Sequence, residues 1–297
     1  MRSPVPVVEL ACPVRGCHRP LVREARVLRC EAGHCHDLAK HGQVNLLQPQ
    51  DKRSGDPGDR REAVLARRRT AERGLTRALV DALGDVLAPV LGNSGGEPGA
   101  LLDVGAGDGF ILAALAKRFG CEAWGVDISR EAMELAARRH PELRWVIANG
   151  DRRLPFPDGA FAAVLSVTGP KNAAEYRRLL TPGGLLIVAV SGPDDQAELL
   201  ERVLGAKRPE ERDLRIRELC SDDFAWRETR EVRHEAELDR EALRDLLDGA
   251  YRGVRHAARQ RFEGIASLRV TLHHRVVVFD PRHAVTEPRG PAVARSS

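Results

Sequence analysis

A chain of 297 residues with 42% hydrophobic and 30% charged residues has the length for a catalytic domain plus a short appendage, and the composition of a globular protein. No stretch approaches the roughly 18 consecutive apolar residues of a membrane helix, and Glu9, Cys12 and Arg15 interrupt the N-terminus before a signal-type apolar core can form, so a cytoplasmic, membrane-free location is expected. The net charge of +4 is uneven: residues 1–73 hold 15 Lys and Arg against 9 Asp and Glu, the remainder 32 against 34. The basic surplus sits in the N-terminal quarter, as contact with a polyanion would require, although biased arginine usage would give the same count.

In chain order, four of the six cysteines come first, within residues 12–35. Four residues separate Cys12 from Cys17, three separate Cys30 from His34, and twelve lie between the pairs. Two such knuckles can close a tetrahedron around Zn2+, and in a reducing compartment a metal is favoured over disulfides. Cys35, His18 or His36 could replace one ligand; His34 is preferred for its regular Cys-x-x-x-His spacing. A module of this size cannot build a sufficient core alone, so metal binding would contribute its folding energy. Residues 46–60 are polar and turn-rich, Arg61–Leu91 has a helical composition, and Gly92–Gly99 breaks it. These signals divide the chain into a zinc module (1–45), a loop and helical linker (46–95), a main domain (96–280) and a disordered tail (281–297).

From Ala100 onward, short apolar runs alternate with helical patterns, the signature of an α/β fold with a parallel sheet. Strands are expected at Leu101–Val104, Ala123–Val126, Leu143–Ile147, Ala162–Val167 and Leu185–Val190. Helices are expected at Phe110–Phe119, Arg130–Arg139 (N-capped by Ser129) and Asn172–Leu180, with a turn at Thr181–Gly184. Residues 196–260 read as charged and helical, and Leu268–Phe279 as a return to strand.

Leu102-Asp103-Val104-Gly105-Ala106-Gly107-Asp108-Gly109-Phe110 places a glycine-rich turn between a buried strand and a helix, where backbone can approach a ligand closely. Asp127, eighteen residues past Gly109, ends the second strand, where a carboxylate accepts both ribose hydroxyls. Position 110, a glycine in dinucleotide fingerprints, is Phe110, and Asp103 and Asp108 would repel a phosphate yet tolerate the sulfonium and ammonium of S-adenosylmethionine. Together with Ala148-Asn149-Gly150-Asp151 on the adenine side, this points to the methyl donor as cofactor.

The span Leu102–Val190 resembles a class I methyltransferase, with its Rossmann-like sheet. That resemblance places Gly105 and Gly107 beside the methionine part, Asp127 on the ribose, Ile128 on the adenine face and Asp151 at the adenine amino group. Val167-Thr168-Gly169-Pro170 replaces the Asn/Asp-Pro-Pro-aromatic motif of exocyclic-amine methyltransferases, which argues against that chemistry. Cys30-x-x-x-His34, Asp37–Leu47 and Lys52-Arg53-Ser54-Gly55-Asp56-Pro57-Gly58-Asp59 resemble the large-subunit (23S) ribosomal RNA guanine-N1 methyltransferases of the RlmA type. The resemblance implies an N-terminal zinc-ribbon-like module before the methyltransferase domain, with a 23S rRNA hairpin loop as substrate; a homodimer is compatible with it.

Guanine N1 carries a proton that must leave around the time of attack. Asp56 and Asp59 are candidate bases, although both also suit a turn. Pro170 is expected to line the base pocket and Lys171 to meet a phosphate, with Arg15, Arg19 and Arg53 available for stacking; Arg67-Arg68-Arg69 would reach phosphates or form a solvated helix face. Two other functions stay open: methylation of a small molecule or natural product, and a non-catalytic zinc-bearing RNA-binding or resistance factor.

Overall fold

The computed structural model describes residues 8–51, 57–92, 99–205, 210–250 and 261–282. Four short strands, β1 (Leu10–Ala11), β2 (Pro20–Glu24), β3 (Val27–Arg29) and β4 (Cys35–Asp37), form an antiparallel sheet. The chain then contributes β5 (Val44–Asn45) to the edge of the main sheet, parallel to β8 (Arg144–Ile147). Helices α1 (Arg61–Glu72) and α2 (Arg77–Leu91) follow.

The alternating segment is built as read: β6 (Leu101–Val104), α3 (Phe110–Phe119), β7 (Ala123–Asp127), α4 (Arg130–Arg139), β8, β9 (Phe161–Val167), α5 (Ala173–Leu179) and β10 (Leu180–Ser191). The Ser129 side chain accepts from Ala132 N at 3.2 Å, the expected N-cap of α4. Thr181–Gly184 is a bulge within β10, where pairing with β9 jumps from Leu180↔Phe161 to Leu185↔Ala163.

After β10 come α6 (Ala197–Leu204), α7 (Arg212–Cys220), β11 (Phe224–Asp239), α8 (Arg240–Ala250) and β12 (Ser267–Pro281). The sixteen-residue β11 corrects the helical reading of residues 196–260. It is an edge strand, paired with β12 alone, and only Phe224, Val232 and Leu238 along it are buried. The Arg and Glu residues that cover such an edge also erase the apolar alternation by which a strand is recognised. Of the expected tail, all but Pro281 and Arg282 lies outside the described residues.

The sheet order is β11-β12-β10-β9-β6-β7-β8-β5, parallel from β5 to β10, with β12 and β11 antiparallel additions. Chain order reverses between β6 and β9, and in open α/β sheets the crevice outside the strand ends at that point takes the ligand. One face carries Leu101, Ala163, Leu165 and Ile187 under α2, α3 and α4. On the other face, Leu102, Trp124, Val164 and Val188 share a single apolar cluster with Leu10, Cys12, Leu21, Leu28 and Cys30 of the small sheet. The N-terminal module is therefore packed on the main sheet, and Ala11 N bonds to Pro155 O at 2.8 Å across the seam.

Phe156, 1% exposed, sits at this seam, edge-on to Trp124 (centroids 5.3 Å apart) and Phe161 (5.0 Å). Phe156→Ala is expected to cost about 3–5 kcal/mol of stability, read as a lowered thermal midpoint, because the cavity opens beneath both sheets.

Candidate active site and metal centre

The turn after β6 enters the switch point with Gly105 in the left-handed region (φ 88°). A Cβ there would stand 3.0 Å from Gly169 Cα and 3.1 Å from Pro170 Cδ, so only glycine lets the β6 and β9 turns touch. Gly105 N and Ala106 N both donate to Val126 O, at 2.8 and 3.1 Å. Gly107 N and Ser129 N donate to the two oxygens of Asp127, at 3.0 and 2.9 Å. The carboxylate expected on the ribose is thus fixed at the end of β7 by backbone; burial raises its pKa and these two N–H groups oppose the rise.

Asp103, in β6 two residues before Gly105, is 3% exposed, with Oδ1 lacking a partner among the described residues. Burial first and the Asp127 charge second push it up to about 7. A buried carboxylate with an unused oxygen fits a cationic ligand group. Asp108 does not play that part: Arg68 and Arg139 reach its Oδ2 at 3.3 and 3.4 Å, so its charge is spent within the protein. Asn149 Oδ1 accepts from Asp151 N at 2.9 Å, and its Nδ2 donates to Asp51 O at 2.8 Å. Gly150 packs on Pro170 and Val104, Ile128 is half-buried and Asp151 is exposed.

The chain just before α1 lies across the end of β7. Ser129 Oγ donates to Asp59 O at 2.8 Å, and Gly58 (φ 98°) is pressed so closely on Ser129 that a Cβ would come within 2.7 Å of it. Asp59 pairs with Arg67 at 2.6 Å and stands near Asp127, on the ribose side, whereas Pro170 follows β9, two strands away. Asp56 and Arg53 lie outside the described residues.

The arginine run is engaged in pairs within the protein, although the Arg67 and Arg69 side chains stay 43% and 44% exposed. Arg67 also donates to Gly249 O (2.7 Å), Arg68 pairs with Glu72 (2.7 Å), and Arg69 and Arg73 each reach the 4%-exposed Asp245 side chain at 2.6 Å. Helix α1 is thereby pinned to α8. Arg15 and Arg19 remain exposed.

Beside the switch point opens a cleft of about 720 Å3, bordered by Asp151, residues 168–171 and the end of β10 on one side and by Arg212, Arg215, Ile216 and Leu219 of α7 on the other. Pro170, the residue expected to line a base pocket, borders this cleft, its carbonyl accepting from Ser166 Oγ (2.8 Å) and Tyr176 OH (2.7 Å). Lys171 departs from expectation: its ammonium turns inward onto Gly169 O and Ser166 Oγ instead of outward to a phosphate. Two features of the cleft were not foreseen. Thr168 adopts φ 51°, strained for a β-branched residue, and α7, within a stretch read as helical, stands as the far wall of the cleft.

In the N-terminal module, the ligand atoms of Cys12, Cys17, Cys30 and His34 all lie within 4.8 Å of one another. Cys12 Sγ and His34 Nδ1 are 3.4 Å apart, Cys30 Sγ and His34 Nδ1 3.5 Å, and Cys17 Sγ and Cys30 Sγ 3.8 Å. A tetrahedron with Zn–S near 2.3 Å and Zn–N near 2.0–2.1 Å has edges of about 3.5–3.8 Å. The cluster thus fits zinc, and of the alternatives His34 is the histidine that joins it; Cys35 is exposed and bonds to Gly33 O (3.3 Å).

Residues 10–55 match the RlmA N-terminal zinc-ribbon model, and residues 101–184 match the methyltransferase domain model. The 23S rRNA (guanine(748)-N(1))-methyltransferase of Streptomyces fradiae is 34% identical over 235 residues, covering 79% of this chain and 81% of the relative. The chain belongs to the RlmA-type 23S rRNA guanine-N1 methyltransferase family. A Micromonospora griseorubida member named for the same guanine-N1 reaction is 31% identical, covering 80% of this chain and 84% of its own. Among solved structures, a geranyl diphosphate C-methyltransferase from Streptomyces coelicolor A3(2) is similar at 17% identity and a TM-score of 0.42, covering 68% of this chain and 76% of that one. No helix among the described residues is long and apolar enough to cross a membrane.

The metal centre of this family member is tested by elemental analysis of the purified protein: one zinc per chain is expected, falling below about half in Cys30→Ser and His34→Ala. Because Cys12 and Cys30 belong to the core shared with the main sheet, metal loss should lower the unfolding midpoint of the whole chain rather than release a separate transition.

Proposed function

We propose that this chain transfers the methyl group of S-adenosylmethionine to N1 of a guanine in a hairpin loop of 23S rRNA, in the cytoplasm. The observation that carries the reading is the pairing of a Cys3His module with an S-adenosylmethionine-type crevice in one continuous core, along a chain that aligns with four-fifths of the Streptomyces fradiae relative. S-adenosylmethionine supplies an electrophilic methyl group, so the protein's work is to align donor and acceptor and exclude water.

Gly105 and Gly107 lie beside the methionine part, Asp103 faces its ammonium, Asp127 takes the ribose hydroxyls, Ile128 covers the adenine, and Asn149, Gly150 and Asp151 meet its edge. Pro170 packs against Gly105 at the mouth of the cleft, where the target base would enter. The ion pair of Asp59 with Arg67 supports a part for Asp59 in holding the segment before α1 in place over one in removing a proton. Arg15 and Arg19 on the zinc module are exposed, which supports a part for them in meeting RNA.

Incubation with labelled S-adenosylmethionine and 23S rRNA tests the reading. Label should enter the RNA, with transfer weakening steeply as salt rises, and primer extension should stop beside a single guanine, because an N1-methyl blocks the pairing edge. Position 748, named for the Streptomyces fradiae relative, is the first to inspect. Label entering only small-molecule acceptors, or none, would overturn it.

Asp103 gives a pH signature. Its raised value means that the ligand-free fold holds a proton there below about pH 7; this favours the fold at low pH and is lost as pH rises through 7. A cationic donor favours the ionised carboxylate, so binding expels the proton and affinity falls by up to about tenfold per unit below pH 7. Calorimetry in two buffers of different ionisation enthalpy reads the released proton, and Asp103→Asn should abolish the release.

A further inference from the structure

The cleft beside the switch point carries cations of different standing. Arg212 is neutralised by Glu210 at 3.0 Å, and Glu211 in turn is held by Arg275. Lys171 has no such arrangement: its Nζ donates to Gly169 O and to Ser166 Oγ (3.4 Å), and no carboxylate pairs with it among the described residues. Burial lowers its pKa to about 8, against a weaker opposing effect of the Asp151 carboxylate. A cation withdrawn from water onto a carbonyl and a hydroxyl is only partly compensated, and an anion arriving in the cleft would complete its environment.

The reaction itself generates that anion. Guanine N1 is a weak acid, and when its proton leaves, the negative charge is shared between N1 and O6. We propose that Lys171 is the cationic partner of guanine O6, stabilising the N1-deprotonated base as it attacks; this rests on the guanine-N1 reading above. The N1–H bond breaks with its proton passing to water at the open cleft. The N1 electron pair then forms the new N1–C bond, and the C–S bond breaks with its pair going to sulfur, leaving 1-methylguanine and S-adenosylhomocysteine. A protonated lysine is a donor only, so it stabilises the anion rather than removing the proton.

The local structure places it for this role. Pro170 touches the Gly105 turn, so Lys171 stands one residue beyond the contact between the β6 and β9 loops. Ser166 and Tyr176 grip the Pro170 carbonyl, and Thr168, in the left-handed region, turns the chain across the end of β9. Among the described residues, Asp151 after β8 and Cys220 on α7 act on the lysine, Tyr176 on α5 meets the same Ser166, and Glu210, Glu211, Arg212 and Arg215 border the same cleft; burial pushes the Cys220 thiol up to about 11, so it carries no charge at neutral pH.

The test is the pH profile of kcat for methylation of 23S rRNA by unmodified protein, Lys171→Met and Lys171→Arg, with thermal unfolding of each as a check on folding. Lys171→Met should lower kcat about 10^2-fold at pH 7 and move the acid limb of the profile upward by about one unit, with KM for RNA changed less than about threefold. Lys171→Arg, which keeps the charge, should recover most of the rate. A uniform loss with an unshifted limb, or a folded Lys171→Arg as inactive as Lys171→Met, overturns the role of Lys171 alone. Absence of transfer by the unmodified protein overturns the guanine-N1 reading and this role with it.

Discussion

Backbone contact between the turns after β6 and β9 is the constraint on which the rest of the site depends. Gly105 and Gly169 meet where the strand order reverses, and a side chain at Gly105 would push the two loops apart. From that contact, the β6 turn runs one way to the carboxylates of Asp103 and Asp127, and the β9 turn runs the other way to Pro170, Lys171 and the cleft. On the proposed reading, donor and acceptor would lie on the two sides of this backbone junction, and van der Waals contact would set their separation for the alignment that an in-line displacement requires.

A second level of organisation is the core beneath the small sheet. Cys12 and Cys30 are at once candidate metal ligands and members of the apolar cluster containing Trp124 and Phe156. A metal there would order the knuckles and also hold the face by which the module packs on the larger sheet. Asp51, on Asn149, and Asp59, on Ser129, then tie the following segment to the ends of β8 and β7. The segment leading out of the N-terminal module is in this way tied at two places beside the ends of β7 and β8, which suits a protein that must present a nucleic acid to a small reactive group.

Much of this was legible from residue order. The strands from Leu101 to Ser191 are buried on both faces, so their apolar runs are continuous, and of the helices between them α3 ends at Gly120 and α4 takes a Ser129 cap. The metal cluster was legible because knuckle spacing is local. Pairing partners were not. The sequence reads Asp108 as free negative charge and Arg67–Arg69 as free positive charge, because nothing local shows that Arg68 and Arg139 reach Asp108 or that Asp245 awaits Arg69 and Arg73. β11 was hidden by its charged edge, and Lys171 was read as outward-facing because its burial depends on α7, a helix far along the chain.

The tie between α1 and α8 has a consequence for how the chain assembles. Arg69 meets Asp245 across 176 positions of sequence, and Arg67 meets Gly249 across 182. Contacts of such separation cannot form until nearly the whole polypeptide exists, and the loop-closure entropy they carry slows the final step of collapse. During synthesis the Cys3His knuckles emerge first and can capture their ion alone, while α1 must wait with unmatched guanidinium groups for a helix made almost last. The molecule is thus sealed by its own C-terminal third, and a chain ending before Asp245 would leave α1 without its anchor.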